Sequence, residues 1–192
     1  YDPREFMLAA AGGAGPVHCA GYSDFIEVSR TIVCPYSSVF SAFGISVMDI
    51  VMIYEATNII KLYNPMSDSF LTDYGLYNDT VLRLQKQAVS DLEAEGFDPK
   101  RAIVSLELEM RYGQQLNLTR VLTKSLAIEN EEDVKSIIND FNLTYGQRYS
   151  EAAAYPQGGV EIVNFILRSI TPTEKKELPV FDLKGPDPAR AF

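Results

Sequence analysis

The run Phe6-Met-Leu-Ala-Ala-Ala-Gly12-Gly13-Ala14-Gly15-Pro16-Val-His18 constrains this chain more than any other stretch. It predicts a short apolar strand, a glycine-dense turn and a helix opened by Pro16, a residue suited to the first helical position. A continuous apolar segment, Phe6 to Ala11, bounded by glycines fits a strand buried in a parallel sheet. Glycines carry no Cβ and admit positive φ, so their backbone comes close to whatever lies against it. The amides of the first helical turn, at the positive end of the helix dipole, then face an anion. Two readings stand for Gly12, Gly13, Ala14 and Gly15: a cradle for a phosphate or nucleoside, or a tight strand-to-helix connection with no ligand.

Charge removes whole classes of partner. A formal net charge of −9 argues against a general nucleic-acid binder and against an anionic membrane surface. The acids are spread over Asp91, Glu93 and Glu95, then Glu129, Glu131, Glu132 and Asp133, as on solvated helix faces. No apolar window reaches membrane-spanning length, and Val47 to Ile53 is interrupted by Asp49. No basic segment followed by an apolar one opens the chain, so no secretory signal is expected. Cys19 and Cys34 lack metal or disulfide spacing and read as small apolar side chains in a reducing, cytoplasmic setting. The start at Tyr1, almost directly before a strand, reads as a cut from a longer polypeptide.

Periodicity supplies the remaining elements. A helix is expected from Pro16 to Ile26, a strand over Thr31–Cys34, and a helix from Val39 to Val51 capped by Ser37 or Ser38. This βαβα order implies right-handed crossovers in an α/β sheet. The character changes near Asp49 to Ile53. Met52 to Tyr63 reads as a long strand, Asp79 to Glu95 as an amphipathic helix ended by Gly96, and Ile103–Tyr112 with Leu116–Leu122 as a hairpin. Glu131 to Tyr149 reads as a helix, Val160 to Ile170 as a closing strand, and Thr171 to Phe192 as an irregular tail. The expected division is 1–52 for the α/β piece, 53–175 for an α+β domain and 176–192 for the Pro-containing tail.

These pieces, in this order, resemble the hydantoinase A / oxoprolinase family. DPREFMLAAAGGAGPVH, TIVCP and SSVFSAFGISVMDI are similar to its D-P-R-x-F strand, G-G-A-G-P-[LV]-H loop, V-P strand end and S-A-x-G helix followed by Asp. ELEMRYGQQLNL, YGQRY and VEIVNFILRS resemble its later hairpin, helix end and final strand. The resemblance implies the end of an actin-like (ribonuclease H-like) ATPase domain followed by an α+β domain. It implies ATP with Mg²⁺ as cofactor, with the metal ligands outside this chain, and phosphorylation of an amide or ketone oxygen of a small substrate. It makes Gly12, Gly13, Ala14, Gly15 and His18 the nucleotide contacts and implies a companion hydantoinase B-like subunit in a hetero-oligomer. Tyr155-Pro-Gln-Gly-Gly159 and the RYGQQLNLTRV hairpin resemble the branch that carboxylates acetone or acetophenone. Cyclic-amide hydrolysis and a catalytically inert docking module are the alternatives.

Individual side chains leave choices open. His18, the only histidine, reads either as a donor near a nucleotide or as a group that satisfies the helix start, and no second ligand at usable spacing makes it a metal site. Asp2 and Arg4 can pair, or tie the strand entrance to a neighbouring domain. Asp49 is expected near a helix end, where a carboxylate opposes the dipole. Glu107, Glu109 and Arg111 project from one strand face, as a solvated or interface row or as a paired-carboxylate acid/base site. Tyr145, Tyr149 and Tyr155 read as packing or interface aromatics.

Overall fold

The computed structural model describes residues 1–113 and 115–175, so the expected tail, 176–192, lies outside the described residues. It divides into two compact units. The first holds residues 1–48 with 173–175, and the second holds Asp49–Pro172.

In the first unit, strand β1 (Met7–Ala10) lies parallel to β2 (Arg30–Val33), and helix α1 (Ala14–Ile26) makes the crossover between them. A second helix, α2 (Phe40–Ser46), follows a 3-10 turn over Ser37–Val39. Asp2 accepts the amide of Arg4 and pairs with its guanidinium at 2.7 Å, which shapes the 3-10 turn before β1. Burial is thinner here than the apolar run predicts. Ala10 is buried, but Met7 and Ile32 stay exposed, because among the described residues each strand has one strand neighbour.

Three local expectations change. Helix α1 starts at Ala14 rather than Pro16, which places Pro16 at the third helical position. Its missing N–H costs nothing there either, since amides of the first turn have no carbonyl one turn earlier. Helix α2 stops at Ser46 rather than Val51, and neither Ser37 nor Ser38 caps it through its side chain. Ile50 and Val51 instead open a strand, where their branched side chains pair with Thr171 and Ile170. Asp49 consequently lies beyond the helix, and the expected clash with its dipole does not arise.

The second unit is a five-stranded antiparallel sheet with two helices. Its elements run β3 (Ile50–Asn64), β4 (Ser69–Phe70), α3 (Gly75–Ala94), β5 (Ile103–Tyr112), β6 (Thr119–Thr123), α4 (Glu131–Tyr149) and β7 (Val160–Thr171). The spatial order is β4-β3-β7-β5-β6, so the last strand enters the middle of the sheet. Leu106, Leu108, Met110 and Tyr112 alternate inward on β5 and meet Tyr77, Val81 and Leu84 of α3 and Ile137 and Phe141 of α4 in one buried cluster. Phe165 of β7 lies edge-on to Tyr77, with ring centroids 5.3 Å apart.

Helix ends follow their local chemistry. Helix α3 begins one turn before the predicted Asp79, at Gly75, whose amide donates to Asp73 Oδ1 at 3.0 Å. It ends with Gly96 at φ +81°, where Gly96 N–H reaches Glu93 O and Phe97 N–H reaches Leu92 O. Asn130 and Asp133 form a capping box at the start of α4, and Glu131, Glu132 and Asp133 face the positive end of its dipole. Asn78 of α3 accepts the Ile128 amide at 2.8 Å and donates to the Ile128 carbonyl at 2.9 Å, clamping the segment that leads into α4.

Candidate functional site

The glycine loop sits where strand β1 ends and α1 begins. The next strand-to-helix loop, after β2, comes to its side. Gly12 N–H donates to Ser37 O at 2.7 Å, so the two loops at the carboxyl ends of both parallel strands are tied together. In an open α/β sheet this is the end where ligands bind.

The three glycines of the loop differ in what they need. Gly12 has φ +82°, a conformation that requires glycine for its own sake. Gly13 is right-handed helical at φ −72°, and a Cβ built on Gly13 or Gly15 meets no atom within 4 Å. Neither residue is therefore demanded by backbone or packing among the described residues. The open space lies beside the first-turn amides of α1, which have no carbonyl one turn earlier to bond.

Gly12, Gly13 and Ala14 are exposed and Gly15 is half-buried. His18 stands one turn beyond Ala14 on the same helical stripe and is exposed. Among the described residues it makes no hydrogen bond or ion pair, so it does not satisfy the helix start. The opposite stripe ties α1 to β2 through the Ser23 hydroxyl, which bonds Thr31, and Cys19 on that side is buried, its thiol reaching Pro16 O of the same helix at 3.1 Å. Both cysteines are free thiols, Cys19 buried and Cys34 half-buried.

Tyr36 was not singled out by sequence pattern, yet it stands in the loop joined to Gly12. It has φ +60°, is half-exposed and stacks on Phe43 with ring centroids 6.2 Å apart. Its one local signal is the position between Pro35 and Ser37, where a turn needs a left-handed residue.

The acidic row on β5 has a different character. Arg120 lies 2.8 Å from Glu109 and 3.6 Å from Glu107, and Arg168 lies 3.5 Å from Glu107. Hydrogen bonds from the Arg120 guanidinium and then the Asn164 amide hold the Glu109 carboxyl below its ordinary pKa. Both carboxylates are thus held in cross-strand ion pairs. Tyr145 is buried and packs edge-on to Tyr112 and against Tyr149, while Tyr155 is exposed. Among the described residues no group of three or more His, Cys, Asp or Glu side chains is placed to hold a metal ion. No described helix is long and apolar enough to cross a membrane.

Comparison with known proteins agrees with this architecture. The chain is 37% identical over 192 residues to the acetophenone carboxylase gamma subunit of Aromatoleum aromaticum, covering 26% of that protein. It is 27% identical to the acetone carboxylase beta subunit of Xanthobacter autotrophicus, again covering 26% of it. It is 25% identical to caprolactamase subunit alpha of Pseudomonas jessenii, covering 93% of this chain and 25% of that one. The chain thus spans about a quarter of the length of the curated relatives it matches. A nucleotide-free structure of acetone carboxylase superposes with a TM-score of 0.78 at 25% identity, over 93% of this chain and 25% of the other. The fold is therefore the expected one, a βαβα piece followed by an α+β domain, as at the end of actin-like ATPase subunits. The family model described as hydantoinase/oxoprolinase matches residues 1–54, and that of the hydantoinase/oxoprolinase C-terminal domain matches residues 76–192. By the extent of these matches and the order of its elements, the chain belongs to the hydantoinase/oxoprolinase family.

Proposed function

We propose that residues 1–48 form the adenosine-side wall of an ATP site in a larger enzyme subunit. Gly12, Gly13, Ala14 and Gly15 lie against the nucleotide and His18 stands beside it. The observation that carries this reading is the open space at Gly13 and Gly15, where a Cβ would meet nothing of this chain. Bare backbone at the carboxyl ends of parallel strands fits the flat face of a nucleoside. Exposure of Met7, Ile32 and Phe25 supports the view that further structure completes the unit.

ATP, when bound, supplies a phosphoryl group that activates a carbonyl oxygen of a small substrate. The residues of this chain bind and orient, which is most of what phosphoryl transfer asks of a protein. Mg²⁺ is assigned to carboxylates outside this chain. Ketone carboxylation is the favoured reaction, because the acetophenone carboxylase subunit is 37% identical and the caprolactamase subunit 25%. Cyclic-amide hydrolysis is the second reading, supported by the caprolactamase likeness. The subunit designations of these relatives support a hetero-oligomer, and the companion proposed for it is a hydantoinase B-like subunit.

The test is Gly13→Val in the full-length protein, read by binding of a fluorescent ATP analogue. Affinity is expected to fall by about tenfold or more, equivalent to about 1.4 kcal/mol. Unchanged affinity in a folded variant overturns the assignment.

A further inference from the structure

Two segments set apart by the sequence take no part in the proposed nucleotide site: Arg111-Tyr-Gly113 at the end of β5 and Tyr155-Pro-Gln-Gly-Gly159 before β7. In the second unit they meet. Together they form a cleft of about 380 Å³, whose polar lining comes mainly from Lys61, Tyr63, Arg111, Tyr155, Gln157 and Glu161.

Glycine backbone builds its floor. Gly113 N–H donates to Gly159 O at 3.0 Å, and a Cβ on Gly113 would lie 2.1 Å from Gly158 O. A Cβ on Gly158 would lie 2.7 Å from the Tyr155 ring, and Gly159 has φ +77° with Tyr63 O 2.7 Å from its Cβ position. These glycines are demanded by close backbone approach, unlike Gly13 and Gly15.

The charges on this floor do not balance. Lys61, Glu161 and Arg111 form one cross-strand row over β3, β7 and β5. Glu161, with a side chain 10% exposed, takes Arg111 Nε at 2.6 Å, and Arg111 Nη1 donates to Gln115 O at 3.1 Å. A guanidinium has five N–H donors, so three remain. Lys61 is the other neighbour of Glu161 in register, yet it is exposed and makes no ion pair among the described residues. Among the described residues two cations therefore face one committed carboxylate, leaving one positive charge and several donors without a partner on the cleft.

We propose that this cleft binds a small oxyanion, a carboxylate or phosphate group, between Lys61 and the free edge of the Arg111 guanidinium. The fork of the guanidinium matches two oxygens of such a group, and Lys61 adds a point charge. Glu161 is a positioning residue: it holds Nε and so fixes the plane in which the remaining donors lie. Gln157 and Tyr155 supply neutral donors at the rim. The site belongs to the second unit and stands independently of the nucleotide reading.

The experiment titrates the full-length protein, labelled with ¹⁵N-glycine and ¹⁵N-arginine, with inorganic phosphate and, separately, with acetate and bicarbonate, at constant ionic strength made up with chloride. Saturable shifts of the Gly158 and Gly159 amides and the Arg111 Nε–H are expected. A preference for phosphate names a phosphoryl group as the ligand, and a preference for acetate or bicarbonate names a carboxylate. Lys61→Met is expected to weaken binding by about tenfold, and Lys61→Glu to abolish it, with the unfolding midpoint unchanged because the side chain is exposed. Shifts that fail to saturate with every anion, or wild-type affinity in Lys61→Met, overturn the proposal.

Discussion

The amide of Gly12 and the carbonyl of Ser37 meet at 2.7 Å, and this one bond joins two loops that are distant in sequence. It leaves Gly12 at φ +82° while Gly13 and Gly15 keep conformations open to any residue. Structural need and functional need are thereby divided among neighbouring glycines, and substitution can separate them. Gly12→Ala is expected to destabilise the first unit by about 1–2 kcal/mol, through the penalty for a Cβ in left-handed backbone. Gly13→Ala and Gly15→Ala should stay within about 1 kcal/mol of the parent chain. Hydrogen exchange of the β1 amides checks this. Equal effects at all three positions would remove the distinction.

At the cleft in the second unit the glycines have the opposite property. Gly113→Ala places a Cβ 2.1 Å from the backbone oxygen of Gly158, and relief would pull apart the Gly113 N–H to Gly159 O bond beside it. A loss of about 3 kcal/mol or more is expected, in the range of severe strain and overpacking. A Cβ on Gly146 in α4 would meet Glu151 at ordinary contact distance, its side chain at 3.4 Å and its backbone at 3.9 Å, so Gly146→Ala should be neutral or stabilising by up to about 1 kcal/mol. Urea midpoints of the two variants decide the point.

The lowered pKa of Glu109 makes a signed prediction. Its partners Arg120 and Asn164 stabilise the charged carboxylate in the folded state. That stabilisation is present above the unfolded carboxylate pKa and disappears as pH falls through the lower folded value. Glu109→Gln removes the titration, so the variant should lose less thermal stability than the parent between neutral pH and about pH 3. Parallel losses in melting temperature would show that the pairing contributes nothing to folding.

Buried Tyr77 has one polar obligation. Its hydroxyl donates to Ser125 O at 2.6 Å, and burial pushes its pKa well above the ordinary tyrosine value. Tyr77→Phe keeps the packing against Phe165 but leaves that carbonyl without its partner. A cost of about 1–2 kcal/mol is expected, read from the denaturation midpoint.

Much of this molecule is legible along the chain. The stripe Val81, Leu84, Ala88 and Leu92 of α3, the Gly96 cap and the alternation of β5 follow from helical and strand periods acting over a few residues. The motifs around Gly12 and His18, together with the later hairpin, helix end and final strand, carried the family resemblance. Tertiary pairing decided the rest. Ile50 and Val51 left the helical pattern because Ile170 and Thr171 offered them a ladder. Strand β7 entered between β3 and β5, which put Glu161 between Lys61 and Arg111 and brought Gly113 against Gly158. Periodicity reports which face of a segment is apolar. It carries no information about which distant backbone will complete its hydrogen bonds, and at both glycine sites that distant partner determines what the residues can do.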